Sequence, residues 1–518
     1  MQSPTLLLSF IIIYFLGLLL VAYRTSKHSN NESFFIGNRN SNWMLVAFGM
    51  IGTSLSGVTF VSVPGGVGDF SGNNFKGFAY MQVAIGYLIG YATVAYVLLP
   101  LYYRLNVTSI YNYLLQRFGR IAYKTGALFF IISRTVGATA RLYLVINILQ
   151  FFILDKMHVP FVVTAAIILL MILLYTFEGG VKTIVYTDTL QTTLMIAGLV
   201  VCIIYILTHL HLGVGEAFYV MKEKGYLNVF NTNVNSKGFF LKQIIGGAFI
   251  TIAMTGLDQE MMQKNISVKK LGDSQKNMMT LSVVLFGVLF LFLMLGGLLY
   301  LYAANNGGIY ILNETTNKHE LIMQGNIAVG NIIGDKIFPT IALNYLPPAI
   351  SIIFIIALIS ALFPSADGAL TALTSSFCLD ILNLQHKGKR TEKQQKRIRL
   401  TVHLSFVVIF LLCIMVFYKL NNNSIIDIIL DLAGYTYGPL LGLFSFGILT
   451  KRIVKYNQTV PVICLIAPTI CYILSNHAKT WFNGFQIGIE LLIINGLITF
   501  LGLWVISKKA PATTSIQP

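Results

Sequence analysis

Charged side chains are scarce in this chain. They make up 11% of its 518 residues, against about 25% in an ordinary soluble domain. A soluble fold of this length would form two or three domains with charged surfaces, and the composition excludes it. Cysteine is sparse as well: Cys202, Cys378, Cys413, Cys464 and Cys471 all lie in apolar segments, with no CxxC spacing. That excludes a disulfide framework and a cysteine metal site. The eight histidines are scattered, mostly near the ends of apolar runs. No nucleophile elbow, phosphate loop or metal-ligand cluster stands in a fitting context, so no enzyme chemistry and no cofactor are expected. The tail from Lys508 to Pro518 is short and polar, without room for a soluble domain.

What fills the chain instead is apolar sequence, 56% of all residues. Runs recur at about 5–23, 43–64, 78–101, 126–153, 160–176, 187–208, 241–262, 278–303, 351–382, 400–418, 425–449, 459–475 and 487–507. Each has roughly the 20 residues that a membrane-spanning helix requires. The pattern predicts an all-α polytopic membrane protein of thirteen spans. No small-residue cleavage site follows 5–23, so that run reads as a retained helix rather than a signal peptide. The net charge of +17 suggests nucleic acid at first sight, but the lysines and arginines sit in short connectors between spans. With Arg134 and Arg141 set aside as intramembrane, alternate connectors hold 24 and 10 of them, the most basic being 385–399. This asymmetry predicts a cytoplasmic C-terminus and an outside N-terminus. The polar loops at 210–240 and 304–340 are the long ones; the Asn313-Glu-Thr and Asn265-Ile-Ser sequons carry little weight.

The stretch from Ser351 to Leu382 organises the rest. Its first half is apolar, but Ser360, Ser365, Asp367, Thr371, Thr374, Ser375 and Ser376 follow, with Pro364 and Gly368 among them. Hydroxyls and carboxylates in hydrocarbon are costly unless paired. Such a helix should face a polar cavity or a bound cation, for which hydroxyl and carbonyl oxygens are suitable ligands.

Two other spans carry polar interruptions. Span two contains Gly52-Thr53-Ser54-Leu55-Ser56-Gly57-Val58-Thr59; span seven contains Gly246-Gly247, Thr251 and Thr255-Gly256. Glycines of this kind permit close helix packing. Alternatively, they mark broken helices whose freed carbonyls meet a cation near the midplane, in corresponding halves of an inverted repeat. A third run, Glu178-Gly179-Gly180-Val181-Lys182 with Tyr186-Thr187-Asp188 and Gln191, reads most simply as a glycine turn and a capping carboxylate.

Taken together, several pieces resemble the sodium/solute symporter family of sodium-coupled sugar, proline, sialate, iodide and vitamin carriers. They are the FFIGNR connector (Phe34–Arg39), the polar second span, the Gly179–Gln191 run, Asp258-Gln259 with Gln263, and the helix ending Cys378-Leu379-Asp380-Ile381. The resemblance covers about residues 5–455. It implies a five-plus-five inverted-repeat core like that of the bacterial leucine transporter, over 43–449. Residues 5–23 would then be an extra N-terminal helix and 459–507 two C-terminal ones, all in one membrane transport domain. It further implies a sodium ion between spans two and nine, met by the carbonyls of Gly52, Leu55 and Ala361. The two hydroxyl positions of that site fall on Pro364, which keeps only a carbonyl, and Ser365. Asp367 lies one turn away, and Asp188 matches an acidic residue that helps hold a second sodium in some relatives. Candidate solute contacts are Ser56, Thr59, Gln82, Arg134, Arg141 and Thr255.

Arg134 and Arg141 stand seven residues apart, hence on one helix face. A buried guanidinium must be paired or reach water. The expected acidic partners at that depth are Asp188 and Asp367, and a solute carboxylate offers a bidentate alternative. The expectation is sodium-driven symport of a small polar or anionic solute by alternating access. Its partners would be the solute, sodium and the bilayer, with no nucleic acid and no obligate protein partner. Rivals are a proton-coupled carrier using Asp367 and a membrane sensor.

Overall fold

Hydrocarbon offers backbone amides no partner, so an apolar run crosses it as a helix that bonds to itself. The computed structural model obeys this over the residues that it describes: 4–26, 31–68, 77–177, 180–313, 318–323, 334–384, 391–420, 425–454 and 456–509. In chain order the apolar helices are α1 (Pro4–Ser26), the pair α2 (Trp43–Ser54) and α3 (Gly57–Gly65), α4 (Tyr80–Arg104) and α5 (Arg120–Met157). Then come α6 (Phe161–Thr176), α7 (Gly180–His209), the pair α8 (Phe240–Gly256) and α9 (Gln259–Ile266), and α10 (Leu271–Asn305). The series closes with α11 (Pro348–Ile381), α12 (Glu392–Leu420), the pair α13 (Ile429–Thr436) and α14 (Gly438–Leu449), α15 (Asn457–Trp481) and α16 (Leu491–Val505). Each expected span has a helical counterpart. Two of these, α6 with 16 residues and α16 with 15, are shorter than the usual bilayer requirement.

Three spans are bent at a break: α2–α3 by 54°, α8–α9 by 64° and α13–α14 by 44°. The first break falls in the Gly/Ser/Thr run of span two. The second lies at Leu257-Asp258, beyond Gly246-Gly247, which continue the helix. Gly247 is there for packing, since a Cβ on it would come within 2.6 Å of the Val83 carbonyl oxygen of α4. The break instead comes after a π-turn at Ile252–Gly256 and at a cap: Asp258 Oδ1 accepts from the amides of Glu260 (2.9 Å) and Met261 (3.3 Å). The bend at Tyr437 in span eleven has no counterpart in the sequence reading. In the loop at 304–340, strands β1 (Gly308–Asn313) and β2 (Lys318–Met323) pair antiparallel, Gly308 opposite Met323.

Helix α7 lies along both α2 and α11, and α4 lies along α8. Asp188 is more than two turns inside α7 and fully buried, so it is no helix cap. Glu178 and Gly179 fall outside the described residues, as do Glu314, Thr315, residues 385–390 and 510–518 of the tail. At Gly52, α2 is pressed between α7 and α11. A Cβ there would collide with Thr192 Oγ1 and lie 3.5 Å from Pro364 Cγ. Gly52→Ala should therefore lower the melting temperature in detergent and impair transport. Thr192→Ala added to it removes the colliding atom and should restore most of the melting temperature. No recovery in the double variant would show that the crowding lies elsewhere.

Candidate functional site

The end of α2 presents backbone oxygens of the kind that a cation requires. The Leu55 amide donates to the Ile51 carbonyl at 2.8 Å and the chain then turns at Ser56. The last carbonyls of any helix have no helical donor ahead of them, and here these belong to the segment that holds Gly52 and Leu55. Opposite, on α11, Ala361, Pro364 and Ser365 are buried. The Ser365 hydroxyl donates to the Leu362 carbonyl at 2.9 Å, which leaves its lone pairs available. On α7, Asp188 and Thr192 are one turn apart and face the same stretch, Asp188 beside Gly49 and Thr192 beside Gly52. Asp188 Oδ1 and Thr192 Oγ1 have no hydrogen-bond partner among the described residues. Orphaned oxygens beside unpaired carbonyls are a donor set that fits a hard monovalent cation. Asp367 sits apart from it: Oδ2 accepts from the Tyr175 hydroxyl at 2.8 Å, and Oδ1 from the Gly368 amide at 2.5 Å.

Next to this set lies a network of buried charge. Lys264 Nζ reaches Asp188 Oδ2 at 2.7 Å and Thr53 Oγ1 at 2.6 Å, with Glu260 Oε1 at 3.7 Å. Glu260 Oε2 accepts from Arg134, whose other terminal nitrogen is 3.8 Å from Asp258 Oδ2. Asp258 Oδ2 also accepts from the Tyr437 hydroxyl at 2.7 Å, so the break in span eleven serves the same cluster. All five charged side chains are at most 4% exposed. The sequence reading placed Lys264 in a connector and assigned the intramembrane arginines to Asp188 and Asp367. The structure corrects both. Lys264 lies within α9 at the protein's centre, because the break at Asp258 re-enters the chain as a second half-helix. Arg134 is neutralised by Glu260 and Asp258, leaving Asp188 to Lys264.

A cavity of about 90 Å³ adjoins the network. Its walls come from the end of α2 (Thr53, Ser54, Leu55), Thr59, three tyrosines of α4 (Tyr80, Tyr87, Tyr91), and Thr251, Met254 and Thr255 of α8. Ile250 of α8, Met261 of α9, and Leu285 and Leu289 of α10 add apolar wall, and Arg134 and Arg141 of α5 complete it. Tyr80 and Tyr87 share a hydrogen bond at 3.0 Å, and Tyr91 donates to Ser54 Oγ at 3.4 Å. Arg141 makes no ion pair with any described residue. Of the expected solute contacts, Thr59, Thr255, Arg134 and Arg141 are brought together here. Ser56 and Gln82 are not among the lining residues: Ser56 begins α3, and Gln82 is fully buried with its amide donating to the Ala79 carbonyl at 3.1 Å. The sequence reading missed Thr53, Thr192, Glu260 and Lys264. Spacing carried a signal for three of them, Thr192 four residues after Asp188 and Lys264 four after Glu260.

The Sodium:solute symporter family matches residues 34–458, most of the chain. The chain belongs to the sodium:solute symporter family. It is thus a sodium-coupled solute symporter working by alternating access, and not an enzyme. Among relatives, the sodium/sialic acid symporter NanT of Aliivibrio fischeri is 23% identical, over 92% of this chain and 89% of its own length. Sodium-coupled monocarboxylate transporter 1 of Mus musculus is 25% identical, over 84% of this chain and 68% of its own. A solved Na+-coupled sialic acid symporter superposes with a TM-score of 0.78 at 20% identity, covering 97% of this chain and 99% of that one. Mhp1, a nucleobase-cation-symport-1 family transporter, gives 0.51 at 12% identity, over 92% and 94%. These two likenesses establish the leucine-transporter type of fold for this symporter.

Removing Arg134 would leave Asp258 buried without a cation and Glu260 with only Lys264 at 3.7 Å, and a broken buried pair costs about 3–5 kcal/mol. Arg134→Ala should therefore strongly lower thermal stability in detergent, while Arg141→Ala, which breaks no ion pair, should leave it near wild type. Equal losses in the two variants would contradict the assignment of the pairs.

Proposed function

We propose that this symporter carries a small carboxylate-bearing solute inward on sodium, and that Arg141 receives the carboxylate. The observation that carries this reading is the asymmetry between the two cavity arginines. Arg134 is engaged by Glu260 and Asp258, whereas Arg141 faces the cavity with no carboxylate of its own. A guanidinium does not escape its cost by deprotonating, and a carboxylate matches its fork in two parallel hydrogen bonds. The names of the relatives leave the choice open, since they include sialic acid and monocarboxylate carriers and also sodium/glucose cotransporter 1 of Oryctolagus cuniculus, 22% identical. The tyrosines and threonines of the cavity supply hydroxyls for the rest of the solute.

The coupling ion would lie between α2 and α11, on the carbonyls of Gly52, Leu55, Ala361 and Pro364 and the hydroxyl of Ser365. Asp188 and Thr192 flank it. Asp367 is bonded to Tyr175 and Gly368, which favours sodium over a proton on that carboxylate as the coupling charge. The bias of 24 basic connector residues against 10 supports a cytoplasmic C-terminus in the cell membrane, so the ion would enter from the N-terminal side. The whole chain would work as one transport unit.

Uptake into proteoliposomes, with labelled sialic acid, lactate and glucose and with or without a sodium gradient, tests this. Acid uptake that needs sodium is expected. Arg141→Lys should raise the KM for the acid at least tenfold although it keeps the charge, because the fork is lost. Glucose as the best solute, or wild-type kinetics in Arg141→Lys, would end the carboxylate reading. Ser365→Ala should weaken apparent sodium affinity by about 1–3 kcal/mol, roughly five- to 150-fold, the loss of one polar contact. An unchanged sodium dependence would move the ion elsewhere.

A further inference from the structure

The buried charges form a line rather than a cluster of isolated pairs. It starts at the cavity with Arg134, passes to Glu260, then to Lys264, and ends at Asp188 beside the end of α2. Cation and carboxylate alternate along it, and Glu260 is the carboxylate that stands between the two cations. Its two oxygens are divided: Oε2 accepts from Arg134, and Oε1 faces Lys264 at 3.7 Å with no hydrogen bond of its own among the described residues. The carboxylate also leans on α11, where a Cβ at position 368 would collide with Oε1. Only glycine leaves it that room. Thr53, which accepts from Lys264 at 2.6 Å, lines the cavity as well.

We infer that Glu260 is the positioning residue that couples solute binding to cation binding in this chain, by choosing between Arg134 and Lys264. The inference rests on the carboxylate-symport reading above. A solute carboxylate arriving at the two arginines competes with Glu260 for Arg134. Glu260 then turns its charge to Lys264, which already stands within ion-pair distance. Lys264 held by Glu260 has less hold on Asp188, and Asp188 gains affinity for a small cation. The sign is positive: one solute carboxylate raises the affinity for one cation, and by linkage the cation raises the affinity for the solute equally. Interactions in such a site are strong because little water screens them. The charge count agrees. Asp188, Asp258 and Glu260 balance Arg134, Lys264 and the cavity's Arg141, three charges of each sign, and a bound carboxylate adds a negative charge that a cation offsets.

The test measures binding of radioactive sodium to the purified full-length protein in detergent, at zero and at saturating sialic acid or lactate. In the wild type the acid should lower the half-saturating sodium concentration by about five- to 150-fold, the usual range of coupling. Glu260→Gln is isosteric and uncharged. It should still bind both ligands, but with a ratio within twofold of one; Glu260→Asp should restore part of the ratio. A purely structural role would weaken both affinities and leave their ratio in place. Lys264→Gln, which cuts the line on the other side of Glu260, should also bring the ratio to about one, and it carries the test if Glu260→Gln does not fold. A wild-type ratio retained in the folded variants overturns the inference alone. A wild type in which neither acid alters sodium binding overturns the carboxylate reading beneath it.

Discussion

The pairing of Glu260 with Arg134 is the contact on which the interior depends. A guanidinium in span four cannot shed its charge, so something on a neighbouring helix must hold a carboxylate at the same depth. That carboxylate sits on α9, and α9 reaches this depth only because span seven breaks at Asp258. The break is thus a requirement of the charge. Asp258 meets it twice, capping α9 with one oxygen while the other takes the Tyr437 hydroxyl and lies 3.8 Å from Arg134. Tyr437 in turn stands at the bend of span eleven, which ties a third broken span to the same charge.

A helix break in hydrocarbon exposes amides and carbonyls that nothing but protein or a bound ion can satisfy. In span two the break lies beside α7 and α11, which carry Asp188, Thr192 and Ser365. In span seven the amides are met by the Asp258 cap, and the carbonyls of Gly256 and Leu257 accept from the hydroxyls of Tyr102 (2.8 Å) and Tyr111 (3.0 Å). The two breaks are equivalent in the repeat but chemically different: one leaves oxygen ligands open, the other closes on protein side chains. That difference puts the cation candidates beside α2 and the ion pairs beside α9.

Span positions, the break in span two and the polar face of α11 were all legible in the sequence, because periodic apolar length and the cost of buried hydroxyls are local properties. Arg134 was legible as a residue that needs a partner. The partner itself was not. Glu260 and Lys264 belong to the polar-looking run Asp258-Gln259-Glu260-Met261-Met262-Gln263-Lys264, whose charge reads as the end of a span when the chain is taken one segment at a time. Only the 64° bend brings that run back into the interior. Likewise Gly246-Gly247 has the composition of a break, yet packing explains both glycines: Gly246 lies against the Ile489 side chain and Gly247 against the backbone of Val83. Ser56 and Gln82 looked like cavity residues by position on their spans, but hydropathy gives no azimuth for a helix that is apolar all round.

The two arginines on one face of α5 show how such a protein separates fold from selectivity. If both were paired internally, the cavity would present only hydroxyls and apolar side chains and would suit a neutral solute. If neither were, Arg134 would be a buried charge without a partner and would repel the half-buried Arg141 two turns along the same helix. Pairing one and leaving the other resolves the conflict. On the proposed carboxylate reading, Arg134 is held by Glu260 and Asp258 before the solute arrives, while Arg141 gains a carboxylate only when an anion is present. A neutral sugar in the same cavity would displace water from Arg141 without replacing its hydrogen bonds to an anion. Such a solute would be disfavoured by desolvation rather than by shape. On the proposed carboxylate reading, selectivity by charge follows from the uneven supply of carboxylates to the two arginines, with no need for a close steric match to the rest of the solute.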